Sequence, residues 1–300
     1  MKLIKNKKFL ITVFIFIFLY FLLSFVVAFS AFTIGDQQSD NTPNNVGLSF
    51  SEINIKTTNS YISSWWIPSD SDVTLIMLHG LRGQKADDDM LLKIKEFNKL
   101  GFSIIAIDFR NHGKSGPGDF TFGVDEVDDV FSTMNYYKEY EGVENFGIWG
   151  FSYGATTALL AGSEIYDRTD QINLIGIFAE SPYIDLLEVF TDQVAYRTPL
   201  NKSVSNFLKP GTVFLTKIFY NFDFNSVEEK FSLINEFEFP VMIISCEMDE
   251  IIPSDQIELL NLKFGINSRV ENFEFCQSHG EAYISDSVRY LNLVNNFFRS

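Results

Sequence analysis

Ser152 lies at the centre of Gly150-Phe151-Ser152-Tyr153-Gly154, a G-x-S-x-G pentapeptide. A serine hydroxyl is a poor nucleophile until a neighbouring base takes its proton. The chain offers three histidines for that task. His79 lies in LHGLRG, upstream of the serine, and His112 lies in DFRNHGKSG. His279 lies in CQSHGEAY, close to the C-terminus. Serine nucleophiles on strand-to-helix turns are followed along the chain by an acid and then by the histidine, an order that only His279 satisfies. The acid is expected just past an apolar run, Pro240–Ser245, where CEMDEIIP holds Asp249. Glu247 and Glu250 compete for the role, but the offset of Asp249 past its run mirrors that of His279 past its own. Acyl transfer also needs two convergent donors for a developing oxyanion, usually backbone N–H groups. The amide of Tyr153, directly after the serine, is one candidate. The amide of Leu81, in the loop after the run Val73–Leu78, is the other, with His79 shaping that loop rather than acting as a base.

A pentapeptide of this kind arises by composition in on the order of one chain in ten, so its setting matters more than its letters. The run Glu144–Trp149 leads straight into it and Ala155–Leu160 continues as a helix, so Ser152 is expected on a tight strand-to-helix turn. Short runs rich in β-branched and aromatic residues predict further strands at Leu48–Ile55, Ile62–Ile67, Val73–Leu78, Phe102–Phe109, Asn173–Phe178, Pro240–Ser245 and Val270–Phe275. Helical spacing joins Met90, Leu91, Ile94 and Phe97, then Val127, Val130, Phe131 and Met134. A last helix is predicted from Ile284, Val288, Leu291, Val294 and Phe298. Strands alternating with helices imply an α/β fold with a mostly parallel sheet covered on both faces, after an N-terminal hairpin. Residues 183–238 hold no clear strand but many aromatic rings, and a connection of that length suggests a helical cap insertion.

The N-terminus is different in kind. Lys2, Lys5, Lys7 and Lys8 crowd the first eight positions, and no charge follows from Phe9 to Gly35. A helix over 9–32 at about 1.5 Å per residue crosses a hydrocarbon layer of roughly 30 Å with some tilt. The lysines before it, with Asp36 and Asp40 after it, predict a single-pass membrane helix with its N-terminus in the cytoplasm and its body outside. A cleaved signal peptide is the alternative, since Ala28 and Ser30 offer small residues; the apolar run exceeds the usual signal core. The expected organisation is a basic tip (1–8), a transmembrane signal-anchor (9–32), a polar linker (33–47) and one catalytic domain (48–300). With 23 Lys and Arg against 39 Asp and Glu, the net charge is -16, which excludes a nucleic-acid partner because phosphate neutralisation needs a basic surface. The histidines and the two cysteines lack metal-ligand spacing, so neither a metal nor any other cofactor is expected.

In this order, LHG…G, DFRNHGKSG, GFSYGATTALLAG, ESP, PVMIISCEMDEIIP and SHGEAY resemble the α/β-hydrolase family, from about Leu48 onward. They look most like a bacterial branch of esterases and peptidase-like hydrolases, several of them membrane-anchored. The resemblance implies an eight-stranded α/β-hydrolase fold, Ser152 as nucleophile, Asp249 as acid, His279 as base, and Leu81 with Tyr153 as oxyanion donors. Cys246 stands where relatives often carry glycine.

The expected activity is that of a membrane-tethered serine hydrolase cleaving a carboxylic ester or a short acyl substrate. An aminopeptidase or dipeptidyl-type peptidase with the same three residues is the alternative, with Glu180 or Glu188 available to a substrate amine. A non-catalytic binding domain on the same scaffold is disfavoured, since Ser152, Asp249 and His279 are all present. Cys246 and Cys276 each lie three residues before a residue of this set. The family fold places their strands side by side, so equal counting brings the two sulfurs to similar height. A disulfide or two buried thiols both remain open.

Overall fold

The computed structural model describes residues 2–35, 39–58, 60–168, 172–198, 201–234, 237–264 and 267–299. Asp36, one of the acidic residues used to orient the chain, falls outside them. The fold consists of two compact units, one made of residues 34–185 with 227–300 and the other of residues 1–33 with 186–226.

The larger unit is built on an eight-stranded sheet in the order β1-β2-β4-β3-β5-β6-β7-β8. Strands β1 (Ser51–Lys56) and β2 (Tyr61–Ile67) form the expected antiparallel hairpin, and β2 pairs antiparallel with β4 (Ser103–Ile107). All remaining pairs are parallel, joining β3 (Val73–Leu78), β5 (Asn145–Phe151), β6 (Asn173–Glu180), β7 (Val241–Cys246) and β8 (Ser268–Phe273). Every residue of β3 is buried, as expected of a strand covered on both faces. Helices α2 (Asp88–Lys99), α3 (Val127–Glu141), α4 (Tyr153–Arg168), α8 (Ser254–Phe264) and α10 (Ser287–Arg299) cover the faces, and α7 (Ser226–Leu233) leads back towards β7. Trp65, Leu75, Ile94, Phe97, Trp149, Phe178, Tyr290 and Phe298 share one apolar core.

Strand order reverses at β3, whose neighbours β4 and β5 lie on opposite sides. Parallel strands that diverge in this way leave a crevice at their carboxyl ends, where open α/β sheets bind ligands. The loops after β3, β4, β5, β6, β7 and β8 therefore meet at one edge. They carry His79, His112, Ser152, Ser181, Asp249 and His279.

All eight predicted strands are present, with ends shifted by up to three residues. The last helical pattern differs more. A single turn α9 (Ala282–Ser285) precedes α10, with the break at Asp286, whose carboxylate accepts the Arg289 amide at 2.9 Å. That break resets the helical phase, so Ile284 and Val288 are exposed and the buried stripe is Tyr290, Val294 and Phe298. The second half of the predicted linker is also folded. Pro43–Val46 form a 3₁₀ turn with Pro43 buried, and Asn41 donates to Asp88 at 2.9 Å.

The smaller unit is helical. It joins α1 (Lys2–Phe32) with α5 (Leu186–Arg197) and α6 (Lys202–Phe219), the latter carrying Pro210. The stretch Lys7–Phe32 is long and apolar enough to cross a membrane. Tyr20 and Ser24 meet α6, whose Gly211 amide donates to the Tyr20 hydroxyl at 2.9 Å.

Candidate active site

Ser152 sits between the last residue of β5 and the first of α4, with φ at +53°. A side chain larger than glycine rarely adopts this backbone region, so the tight strand-to-helix turn holds Ser152 under backbone strain. Both flanking glycines are required by contact. A Cβ on Gly150 would lie 2.5 Å from the Gly154 carbonyl oxygen, and one on Gly154 would lie 2.5 Å from that of Leu78. The Ser152 amide donates to the Glu180 carbonyl at 2.7 Å, tying the turn to the end of β6.

The three histidines divide cleanly. His79 is buried, with Phe109 N–H donating to its Nε2 at 3.1 Å. A backbone amide only donates, so Nε2 carries no proton and Nδ1–H donates to the Gly80 carbonyl at 2.8 Å. Burial, then the neighbouring His112, lower its pKa from 6.5 to about 3. His112 repeats the pattern, with Nε2 accepting from Arg82 N–H at 3.3 Å and Nδ1 donating to the Arg110 carbonyl at 2.9 Å. Burial lowers its pKa also. Both rings are neutral braces between loops, with no nitrogen left to take a proton from substrate or serine.

His279 is placed otherwise. Its Nδ1–H donates to Asp249 Oδ2 at 2.8 Å, and its ring packs on that of Phe151 at 4.7 Å, beside Ser152. Nδ1 carries the proton in this contact, which leaves Nε2 as the basic nitrogen. Asp249 is held from several sides. Oδ1 accepts the amides of Ile251 and Ile252 at 2.9 and 2.8 Å, and Oδ2 also accepts the Ser181 hydroxyl at 2.9 Å. Burial alone would raise its pKa, but the hydrogen bond and charge of His279, with the two amides, hold the carboxyl below the usual range. The rival acids stand apart from this contact. Glu250 accepts the His279 backbone amide at 3.2 Å rather than a ring nitrogen.

Tyr153 opens α4, where first-turn amides lack partners within the helix. Leu81 follows Gly80, at which a Cβ would lie 3.6 Å from Ser152 Cβ, so its loop reaches the serine. That loop is braced by a buried ion pair. Lys85 bonds Asp108 and, at 2.9 Å, the Ser63 hydroxyl, while Asp108 also accepts the amides of Lys85 and Lys114 at 2.7 and 2.8 Å.

Two features escaped the sequence. Ser181, in ESP, has φ at +51° and turns its hydroxyl to Asp249; nothing but its place directly after a strand hinted at this. Glu180 is fully buried and accepts the Tyr290 hydroxyl at 2.6 Å, while Tyr290 itself accepts Trp149 Nε1–H at 2.8 Å. Its carboxyl is therefore an internal brace and is not open to a substrate amine, contrary to the role suggested above.

Cys246 and Cys276 form a disulfide, with Cα atoms 5.2 Å apart. Equal counting along the strands does not explain it. The register sets Cys246 opposite Phe273, and Cys276 lies beyond the end of β8 in a turn closed by its own amide on the Phe273 carbonyl. The bridge thus ties the end of β7, three residues before Asp249, to the loop that carries His279.

Comparison with known proteins agrees with this architecture. Residues 73–198 match the family model for the alpha/beta hydrolase fold. The uncharacterized protein YqkD of Bacillus subtilis (strain 168) is 29% identical over 236 residues, spanning 77% of this chain and 72% of that protein. The lysophosphatidylserine lipase ABHD12 of Danio rerio is 25% identical over 250 residues, spanning 79% of this chain and 62% of the lipase. The solved structure of the Pyrococcus furiosus esterase Pf2001 superimposes with a TM-score of 0.70 at 23% identity, covering 88% of this chain and 98% of that one. The chain has the α/β-hydrolase fold, and these matches support a member of that family.

Proposed function

We propose that the protein is a membrane-anchored serine hydrolase acting on carboxylic esters. Ser152 attacks the acyl carbonyl while His279 takes its proton, and Asp249 fixes the tautomer and supports the imidazolium. The amides of Leu81 and Tyr153 receive the oxyanion. His279 then protonates the leaving alkoxide, and water, activated by the same imidazole, clears the acyl-enzyme. The observation that carries this reading is the division among the histidines. Two are saturated by backbone, and the third donates to a well-held carboxylate beside the strained serine.

An ester is favoured over an amide by the burial of Glu180 and by the relatives, one an esterase and one a lipase. Retention of α1 is supported by its packing in the smaller unit, where Ser24, Ala28 and Ala31 are buried. Cleavage would strip a partner from α6. The basic tip orients the N-terminus to the cytoplasm, and the disulfide suits a catalytic domain outside it.

A fluorophosphonate probe should label wild-type protein at Ser152 and leave Ser152→Ala unlabelled. In a panel of p-nitrophenyl esters and aminoacyl-anilides, C4–C8 esters should be turned over fastest. Labelling of Ser152→Ala at the wild-type rate would reject the nucleophile, and faster anilide turnover would reject the ester.

A further inference from the structure

Helix α6 carries an apolar stripe that the smaller unit leaves uncovered. Phe207, Phe214 and Ile218 are 67, 53 and 57% exposed, and their spacing of seven and four residues places them on one line. A soluble cap would not leave such a line open to water; burying each ring or branched chain contributes about 1.5–3 kcal/mol. Nor is the stripe isolated. Phe207 packs on Tyr20 at 5.1 Å between ring centroids, Phe214 on Phe21 at 6.2 Å and Phe219 on Phe25 at 5.4 Å. The residue numbers rise together, so α6 runs parallel to the second half of α1, and its stripe is continuous with the apolar surface of that helix.

The contact between the two helices is of the kind found inside bilayers, with small residues at the seam and hydrogen bonds across it. A Cβ on Gly211 would fall 2.4 Å from Ser24 Oγ, so the close approach needs glycine. The Thr212 hydroxyl reaches the Ser24 carbonyl at 3.5 Å, and Ser24 Oγ reaches the Leu208 carbonyl at 3.4 Å. The Gly211 amide, next to Pro210, turns to Tyr20.

Length and charge place the pair. Helix α1 has 31 residues, and at about 1.5 Å each it is roughly 46 Å long against a hydrocarbon layer of about 30 Å. Counted from Phe9, after the basic tip, the apolar part before Tyr20 covers roughly 16 Å of that layer, about half of it. The part paired with α6 therefore runs from the middle of the layer to its extracytoplasmic boundary. In a chain with 39 acidic residues, the 18 residues of α6 hold Lys202, Lys209 and Lys217 and no carboxylate. Lys202 and Lys217 pair with Asp192 and Asp223.

We propose that α6 is a second membrane-contacting element, lying against the extracytoplasmic half of the bilayer beside α1. Phe207, Phe214 and Ile218 enter the acyl chains of a phospholipid bilayer, and Lys217, near the end of the helix, reaches the headgroups. The cap is on this reading part of the membrane attachment. The proposal rests on α1 being a retained anchor, and the test separates the two.

Full-length protein is reconstituted in phosphatidylcholine–phosphatidylglycerol vesicles containing a phosphatidylcholine with an acyl-chain diazirine, then irradiated, and labelled peptides are mapped. Label is expected in residues 9–29 and in 207–219, with little in α8, where Leu262 is equally exposed. Label in 9–29 without 207–219 overturns the proposal and keeps the anchor. Label in neither overturns both, and equal labelling of α8 and α6 overturns the assignment of α6 as a specific contact. Independently, the emission added by Phe214→Trp or Ile218→Trp should fall by at least half when the vesicles carry brominated acyl chains. Unquenched emission from membrane-bound, folded variants overturns the proposal.

Discussion

The loops after β3 and β4 hold two histidines and the loop after β8 holds a third, facing Asp249 of the loop after β7, and the two regions use histidine in opposite ways. In the first pair, His79 and His112 are sealed in the interior with both ring nitrogens engaged by backbone. In the second, His279 is engaged at one nitrogen by a carboxylate, and the proposed mechanism uses the other for proton transfer. A histidine that braces is made neutral by burial, while one that moves protons needs a charged partner and access to substrate. Ser152 stands between the two regions and depends on both.

The largest effect that separates them is on rate. Ser152→Ala and His279→Ala should each lower kcat by on the order of 10⁵–10⁶-fold with little change in Tm, because residues of such a set act as a unit. His112→Ala should do the reverse. Its loss removes a hydrogen bond from the Arg82 amide and one from the Arg110 carbonyl, at about 1–3 kcal/mol each in stability, with kcat retained in the folded fraction. Equal loss of kcat in folded His112→Ala and His279→Ala would erase the distinction.

Acid should separate the regions next. His79 has a native pKa of about 3 against an ordinary 6.5, so the unfolded chain binds more protons as pH drops below 6.5. Its contribution to stability is therefore complete above that value and declines as pH falls towards 3, by at most about 1.4 kcal/mol per pH unit. Asp249, held below its usual range, loses its contribution only at lower pH, as the solution falls through about 4 and then through its native value. Thermal melts across pH 7 to 3 should show a shallower slope for His79→Gln than for wild type above pH 4. For Asp249→Asn the slope should flatten only below it.

Reduction of the Cys246–Cys276 bridge should act on the second region alone. Releasing a loop of 30 residues should lower stability by roughly 3–4 kcal/mol, and ester turnover should fall by several-fold before unfolding. Unchanged turnover and Tm after reduction and alkylation would show that the bridge does not hold the two loops. The smallest change is expected from Ser181→Ala, which removes one of the donors to Asp249 and should reduce kcat by about three- to tenfold, with KM unchanged. An altered KM at constant kcat would place Ser181 at substrate instead.

Much of the fold was legible because buried parallel strands such as VTLIML have few other uses, and helices between them keep a regular apolar period. What misled was local phase. Asp286 interrupts the last helix and rotates its buried face, and the turn after β8 brings Cys276 back to Cys246 against the strand register. The half-folded linker also escaped, since Asn41, Pro43 and their neighbours are as common in free tethers as in capped 3₁₀ turns.

By itself the sequence determined the α/β class, the tight turn at Ser152, an apolar N-terminal helix and a short roster of acids and bases. These are carried by local properties: side-chain period, glycine at a crowded turn, charge and chain order. Tertiary structure alone decided that backbone groups engage both nitrogens of His79 and His112, that Ser181 and two amides hold Asp249, that Glu180 faces inward and that α6 runs beside α1. Each of these depends on what lies across a gap from a side chain, and partners distant in sequence leave no trace in local spacing.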